Sequence, residues 1–218
     1  MNHVYAPGCA LMLYKPHLSA KVLEVLAREL GSPVPEHLTC CHHEPGLPAE
    51  SRIVNTCAGC DRRYRGPYEG ISTISLWEIL AGSPTFPFPD YHGAEMTVHD
   101  ACPTRTEPRV HDAVRELLGR MNIRVVEAKR TRTGAVCCGD SLFGSVSDAR
   151  VKAQMRERAK QMPREDVVVY CVSCIKAMHV GGKQPRYLLD LLFGEDTGPG
   201  TSDPTQWHAQ LDAFVAAH

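Results

Sequence analysis

Hydrophobic residues along the chain follow two periods, one typical of strands and one typical of helices. Short apolar runs rich in β-branched residues indicate buried strands, and the segments between them carry apolar residues at helical spacing. The predicted strands include Ile53-Val54, Ile123 to Val126 and Val167 to Tyr170, and the predicted helices follow Leu18 to Ala27, Val110 to Met121 and Ser147 to Met162. Strands that alternate with helices predict an α/β fold with mainly parallel sheets.

A proline- and glycine-rich segment interrupts this pattern near the middle of the chain, which is typical of a linker. We therefore predict a first half over residues 1–82, a linker over 83–95 and a second half over 96–194. Residues 195–218 are predicted to form a C-terminal tail with a short helix from Pro204 to Ala217.

The ten cysteines are the unusual feature of the composition, and they form two sets with one order. Each set has a single cysteine, then an adjacent pair, then a pair separated by two residues. The first set is Cys9, Cys40, Cys41, Cys57 and Cys60, and the second set is Cys102, Cys137, Cys138, Cys171 and Cys174. This repetition predicts an internal duplication, with two similar α/β units related by a pseudo-two-fold axis.

Charge and hydropathy argue against nucleic-acid binding, secretion and a membrane span. The formal net charge is -1, which gives no bulk attraction to nucleic acid. The N-terminus shows no signal-peptide pattern, and no apolar run approaches the roughly 18 residues of a membrane span. We therefore expect a soluble, cytoplasmic protein without nucleic-acid partners. Disulfides are rare in a reducing cytosol, so metal binding or redox chemistry is favoured.

The spacing of the cysteines suits shared coordination. Two cysteines separated by two residues converge on one metal or cluster, whereas an adjacent pair converges only if the chain turns there. Gly139, directly after Cys137-Cys138, can supply such a turn. Five thiolates exceed the four ligands of one zinc ion and suit a polynuclear cluster. An iron–sulfur protein, a zinc protein and a metal-free dithiol protein all remain open at this point.

The second half resembles the cysteine-rich CCG domain of the heterodisulfide reductase catalytic subunit, which recurs in other iron–sulfur oxidoreductase subunits. The resemblance rests on His99-Asp100-Ala101-Cys102, Cys137-Cys138-Gly139 and Cys171-Val172-Ser173-Cys174. The first half is similar through Cys9, Cys40-Cys41 and Cys57-Ala58-Gly59-Cys60. It departs from the family in its short Cys41 to Cys57 spacing and in having His42 where the family has glycine.

The resemblance implies one or two noncubane [4Fe-4S] clusters held by the five-cysteine motifs. Because the first motif departs from the family, zinc is an alternative at that site. It also implies an oxidoreductase that reduces a disulfide or oxidises a thiol pair. The catalytic set would be Cys102, Cys137, Cys138, Cys171 and Cys174. The chain carries no dinucleotide fingerprint and no ferredoxin-type cysteine run, so the electron donor is expected to be a partner subunit with flavin or ferredoxin-type clusters. The alternatives are an electron-transfer module without a substrate and a zinc-binding structural protein.

Overall fold

The computed structural model describes residues 2–218 and divides into two compact units. The first unit ends at Phe86 and also includes Gln210–His218, and the second unit is Pro87–Ala209. Within the described residues, all paired strands are parallel and alternate with helices, which confirms the predicted α/β class. No helix between residues 2 and 218 is long and apolar enough to cross a membrane.

The first unit is built on a three-stranded parallel sheet with the order β1-β2-β3. Its strands are β1 (Asn2–Ala6), β2 (Ser51–Asn55) and β3 (Ile71–Ser75), and its helices are α1 (Cys9–Tyr14), α2 (Pro16–Glu29), α3 (Ala58–Tyr64) and α4 (Leu76–Ala81). The central strand β2 is buried at Ile53 and Val54, as its β-branched residues predict. Ser75 and Glu78 form a capping box that fixes the start of α4.

The second unit is built on a four-stranded parallel sheet with the order β5-β4-β6-β7. Its strands are β4 (Glu95–His99), β5 (Arg124–Val125), β6 (Asp166–Val169) and β7 (Gln184–Tyr187), and its helices are α5 (Pro108–Arg120), α6 (Asp148–Lys160), α7 (Val172–Val180) and α8 (Leu188–Phe193). A last helix, α9 (Pro204–Ala217), begins in this unit, and its residues from Gln210 onward belong to the first. Its bounds are those predicted from the sequence.

The carboxyl ends of the strands place four of the cysteines. Cys9 and Cys57 follow β1 and β2 in the first unit, and Cys102 and Cys171 follow β4 and β6 in the second. Within a parallel sheet these ends lie at one edge, which is where α/β proteins bind ligands. Each unit therefore has a single cysteine and a two-cysteine motif at one edge of its own sheet. The pseudo-two-fold relation between the units stays a prediction.

Candidate metal centre

The second cysteine site, defined by Cys102, Cys137, Cys138, Cys171 and Cys174, is a continuous network of sulfur atoms. Cys137 is hydrogen-bonded to Cys102 on one side and to Cys138 on the other. Cys174 then links Cys138 to Cys171. The structure thus brings together all five residues of the set, although more than 70 residues separate the first from the last.

The first cysteine site, defined by Cys9, Cys40, Cys41, Cys57 and Cys60, has the same order of contacts. Cys40 is hydrogen-bonded to Cys9 and to Cys41. Cys60 then links Cys41 to Cys57. The five residues converge despite the short connection between Cys41 and Cys57, because β2 begins directly after a loop that needs no helix.

Neighbouring thiols favour the thiolate form at Cys137 in the second site and at Cys41 and Cys57 in the first. Hydrogen bonds from Cys102 and Cys138 hold the pKa of Cys137 well below its usual range, with help from the Ser141 hydroxyl. The backbone N–H of Gly139 also points at the Cys137 sulfur, at 3.3 Å. In the first site the hydrogen bond from Cys60 lowers the pKa of Cys57 to about 7. The thiolate is the form that binds metal, so both sites are prepared for it.

Other members of the two sites are held as thiols. Burial raises the pKa of Cys9 to about 12. Cys102 donates a hydrogen bond to Cys137, which raises the pKa of Cys102. Cys174 donates to Cys138 and to Cys171, which raises the pKa of Cys174. Metal binding at either site must therefore release several protons, because every ligand sulfur binds as a thiolate.

Gly139 makes the turn that lets two adjacent cysteines face one site. Its φ is +114° and its ψ is -20°, a combination that L-residues rarely adopt. An added Cβ would also lie 3.1 Å from the Met155 backbone nitrogen on α6. The predicted role of this glycine at the Cys137-Cys138 turn is therefore confirmed.

We expect Gly139→Ala to destabilise the protein by about 1–3 kcal/mol, the usual cost of a strained backbone conformation. The free energy of unfolding from urea titration measures this effect. The control is Gly134→Ala, because Gly134 has no positive φ and an added Cβ there would meet no atom within 4 Å. Equal stability of the two variants would contradict the proposed strain.

Asp100 anchors the loop between β4 and Cys102 from a fully buried position. Arg115 of α5 donates two hydrogen bonds to its carboxylate, at 2.5 and 2.8 Å. The Thr131 hydroxyl, the Arg132 backbone N–H and the Tyr170 hydroxyl donate to the same group. Burial alone would raise the pKa of Asp100, but these donors hold it well below its usual range. The carboxylate therefore ties α5, the 131–132 turn and the end of β6 to the loop that carries Cys102.

His99, the last residue of β4, reaches the second cysteine site. One ring nitrogen of His99 and the sulfurs of Cys138 and Cys174 all lie within 4.8 Å of one another. Burial lowers the pKa of His99 to about 3, so the ring is neutral. Arg158 of α6, which is also buried, donates to Nδ1 at 3.2 Å.

The start of α9 contacts two segments that carry cysteines of the second site. Trp207 donates to the Ser173 hydroxyl at 3.1 Å, and Ser173 lies between Cys171 and Cys174. His208 lies 3.4 Å from a carboxylate oxygen of Asp140, which also pairs with the buried Lys176 at 2.6 Å. These contacts attach the start of α9 to the first turn of α7 and to the turn after Gly139.

A small cavity adjoins the first cysteine site. It is lined by Gly8, Cys9, Cys40, Cys41 and Cys60, together with Phe214 from the end of α9. Gly8 has a φ of +78°, and an added Cβ there would lie 3.1 Å from the Cys60 sulfur. The close approach of this backbone to the sulfurs explains why glycine precedes Cys9.

A comparison with known families agrees with this geometry for one unit. Residues 96–179 match the family model of the cysteine-rich domain called CCG. The matched residues lie wholly within the second unit. The match includes every cysteine of the second site and none of the first. A search among curated proteins finds no match. The CCG domain and its clustered cysteines indicate a metal or iron–sulfur site.

Arg158 is the residue of the CCG domain that sequence analysis missed. It lies on a strongly polar segment that predicts a solvated helix, yet its side chain is fully buried beside His99. Helical spacing from Val151 and Met155 places position 158 on the buried face of α6, but arginine is ordinarily an exposed residue type. His99 was identifiable, since it stands three residues before Cys102 at the end of a predicted strand.

Proposed function

We propose that the protein is an iron–sulfur oxidoreductase subunit of the heterodisulfide reductase type. The second cysteine site would hold a noncubane [4Fe-4S] cluster, and the first site would hold another. The observation that carries this proposal is the continuous network of five sulfurs within a CCG domain.

The donor set fits such a cluster better than it fits a single metal ion. A zinc ion takes four ligands in a tetrahedron, so one of five converging thiolates would be left over. A cluster of several irons would offer enough ligand positions for all five thiolates. When bound, the cluster would supply an iron that accepts sulfur and a store for single electrons.

The reaction proposed is the reduction of a small-molecule disulfide or its reverse. One disulfide takes up two electrons and two protons, and its S–S bond is replaced by two thiols. The electrons would come one at a time from a partner subunit carrying flavin or ferredoxin-type clusters. The residues of this chain hold and orient the centre: the Asp100 network fixes the Cys102 loop, and Gly139 fixes the adjacent cysteine pair.

Protein purified without oxygen from cells competent in cluster assembly is expected to be brown and to contain iron and acid-labile sulfide. The measurement is iron and sulfide analysis combined with EPR spectroscopy, followed by an assay of disulfide reduction with a chemical reductant. Stoichiometric zinc without sulfide would refute the proposal and favour a structural zinc protein. A bound cluster without any disulfide turnover would favour an electron-transfer module.

A further inference from the structure

The hydrogen-bond state of His99 can be deduced from its partner. Arg158 donates its Nε–H to Nδ1 of His99 at 3.2 Å. An arginine side chain carries only donors, so Nδ1 must act as the acceptor and has no proton. A histidine ring with one unprotonated nitrogen is neutral, and its proton lies on Nε2. His99 is therefore a donor through Nε2–H.

This donor is buried and has no hydrogen-bond partner among the described residues. A buried donor without a partner costs free energy, and such groups are rare in native proteins. The ring of His99 lies in the group formed with the sulfurs of Cys138 and Cys174, whose ligand atoms all lie within 4.8 Å of one another. We therefore expect the acceptor of the His99 Nε2–H hydrogen bond to be a sulfur atom of the second site when that site is occupied.

The same geometry argues against His99 as a metal ligand. Binding a metal through Nε2 would move the proton to Nδ1. The Nδ1–H would then point at the Nε–H of Arg158, and two donors would face each other at 3.2 Å. The group of His99, Cys138 and Cys174 thus separates into two sulfur ligands and one hydrogen-bond donor.

Arg158 brings a positive charge to this side of the site. Its side chain is fully buried, and it bonds to three neutral acceptors: Nδ1 of His99, the Arg130 carbonyl oxygen and the Gln161 amide oxygen. The nearby Asp100 carboxylate is already paired with Arg115. The charge of Arg158 is therefore available to a negatively charged group at the cysteines.

We propose that His99, held by Arg158, donates a hydrogen bond to a sulfur of the second site and raises the reduction potential of the group bound there. The inference rests on the proposed function, since it concerns the cluster of that same site. Hydrogen bonds to sulfur and nearby positive charge stabilise the reduced state, which carries one more negative charge. His99 is thus a positioning residue that acts through the ligands.

The first cysteine site offers a built-in comparison. Ala6 is the last residue of β1 and stands three residues before Cys9, as His99 ends β4 three residues before Cys102. An alanine side chain has no donor, so the first site receives no side-chain hydrogen bond from this position. A group bound there should not respond to changes at His99.

The test is an EPR-monitored redox titration of the whole protein, purified without oxygen, with three variants. His99→Phe fills a similar volume but cannot donate, and we expect it to lower the equilibrium constant for reduction of the second cluster about tenfold, or about 59 mV for one electron. His99→Gln keeps a donor and is expected to restore most of the potential. The control is His179→Gln, which changes an exposed histidine of the same unit and leaves the potential unchanged.

A measurement on the unaltered protein keeps the proposal testable if His99→Phe fails to fold. With ¹⁵N-labelled histidine, a hydrogen-bond donor gives weak nitrogen coupling to the EPR signal, together with a coupled proton that exchanges in D₂O. Strong coupling typical of an iron-bound nitrogen would overturn the proposal, as would an unshifted potential in a fully loaded His99→Phe. If the unaltered protein binds neither iron nor sulfide, the proposed function itself fails and the inference fails with it. If the protein binds the cluster but His99→Phe leaves the reduction potential unchanged, the inference is refuted and the proposed function stands.

Discussion

Replacing Cys138 by serine is expected to abolish the EPR signal of the second cluster and all disulfide turnover. Cys138 is buried and central to the sulfur network, since it contacts both Cys137 and Cys174. Its loss separates the 137–138 turn from the Cys171 to Cys174 motif. A serine hydroxyl is a poor ligand for iron where soft thiolates are selected. We therefore expect loss of the cluster rather than a shifted signal.

The matched control is Cys41→Ser, because Cys41 has the corresponding contacts with Cys40 and Cys60 in the first site. This variant should keep the signal and the activity of the second site. EPR spectra and disulfide assays of the two variants, prepared in the same way, distinguish the two units. Activity that survives the loss of Cys138 but not the loss of Cys41 would assign the chemistry to the first unit.

Replacing Arg115 by methionine is expected to lower the free energy of unfolding by about 3 kcal/mol. The change leaves the Asp100 carboxylate buried without its opposite charge, and the neutral donors that remain compensate only in part. Asp100 has a fully buried side chain and that of Arg115 is 12% exposed, so solvent screens this pair little. Urea titration followed by circular dichroism measures the change.

A second ion pair of the same unit provides the comparison. Arg132 pairs with Asp112 at 2.5 Å, but the two side chains are 40% and 69% exposed. Arg132→Ala should therefore cost less than about 1 kcal/mol. The Arg132 backbone N–H still donates to Asp100 in this variant, so the buried network stays otherwise intact. If both variants lose a similar free energy of unfolding, burial of Asp100 does not strengthen its ion pair with Arg115.

The positions of the central elements could be predicted from the sequence because their periodicity is local. The segment Ser147 to Met162 contains α6, which ends two residues earlier at Lys160 and has Ser147 as its N-terminal flanking residue. Of the predicted strand Val167 to Tyr170, all but the last residue lies in β6. The order of the cysteines also predicted which sulfurs would converge. Strand β5 is shorter than the pattern Ile123 to Val126 suggests, because the Ile123 N–H instead bonds to Leu118 at the end of α5.

Two of the edge strands, β3 and β7, could not be predicted from the hydrophobic pattern. Strand β3 reads Ile-Ser-Thr-Ile-Ser and is only partly buried, so it lacks the apolar run that marks β2. Strand β7 contains Pro185, a residue that argues against a strand unless the strand lies at an edge. Which strand lies at an edge depends on tertiary pairing, and no local pattern carries that information. The same holds for Arg158, whose burial depends on the partner that His99 provides.

The position of α9 in the chain has a consequence for the timing of assembly. Trp207 and His208 contact Ser173 and Asp140 beside the second site, yet they follow all ten cysteines in the sequence. During synthesis the chain emerges from its N-terminal end, so the ten cysteines leave the ribosome before these contacts exist. Iron and sulfide delivered to the nascent chain would meet the second site before α9 is in contact with it. Iron and sulfide delivered to the finished protein would meet a site whose neighbouring segments already carry these contacts.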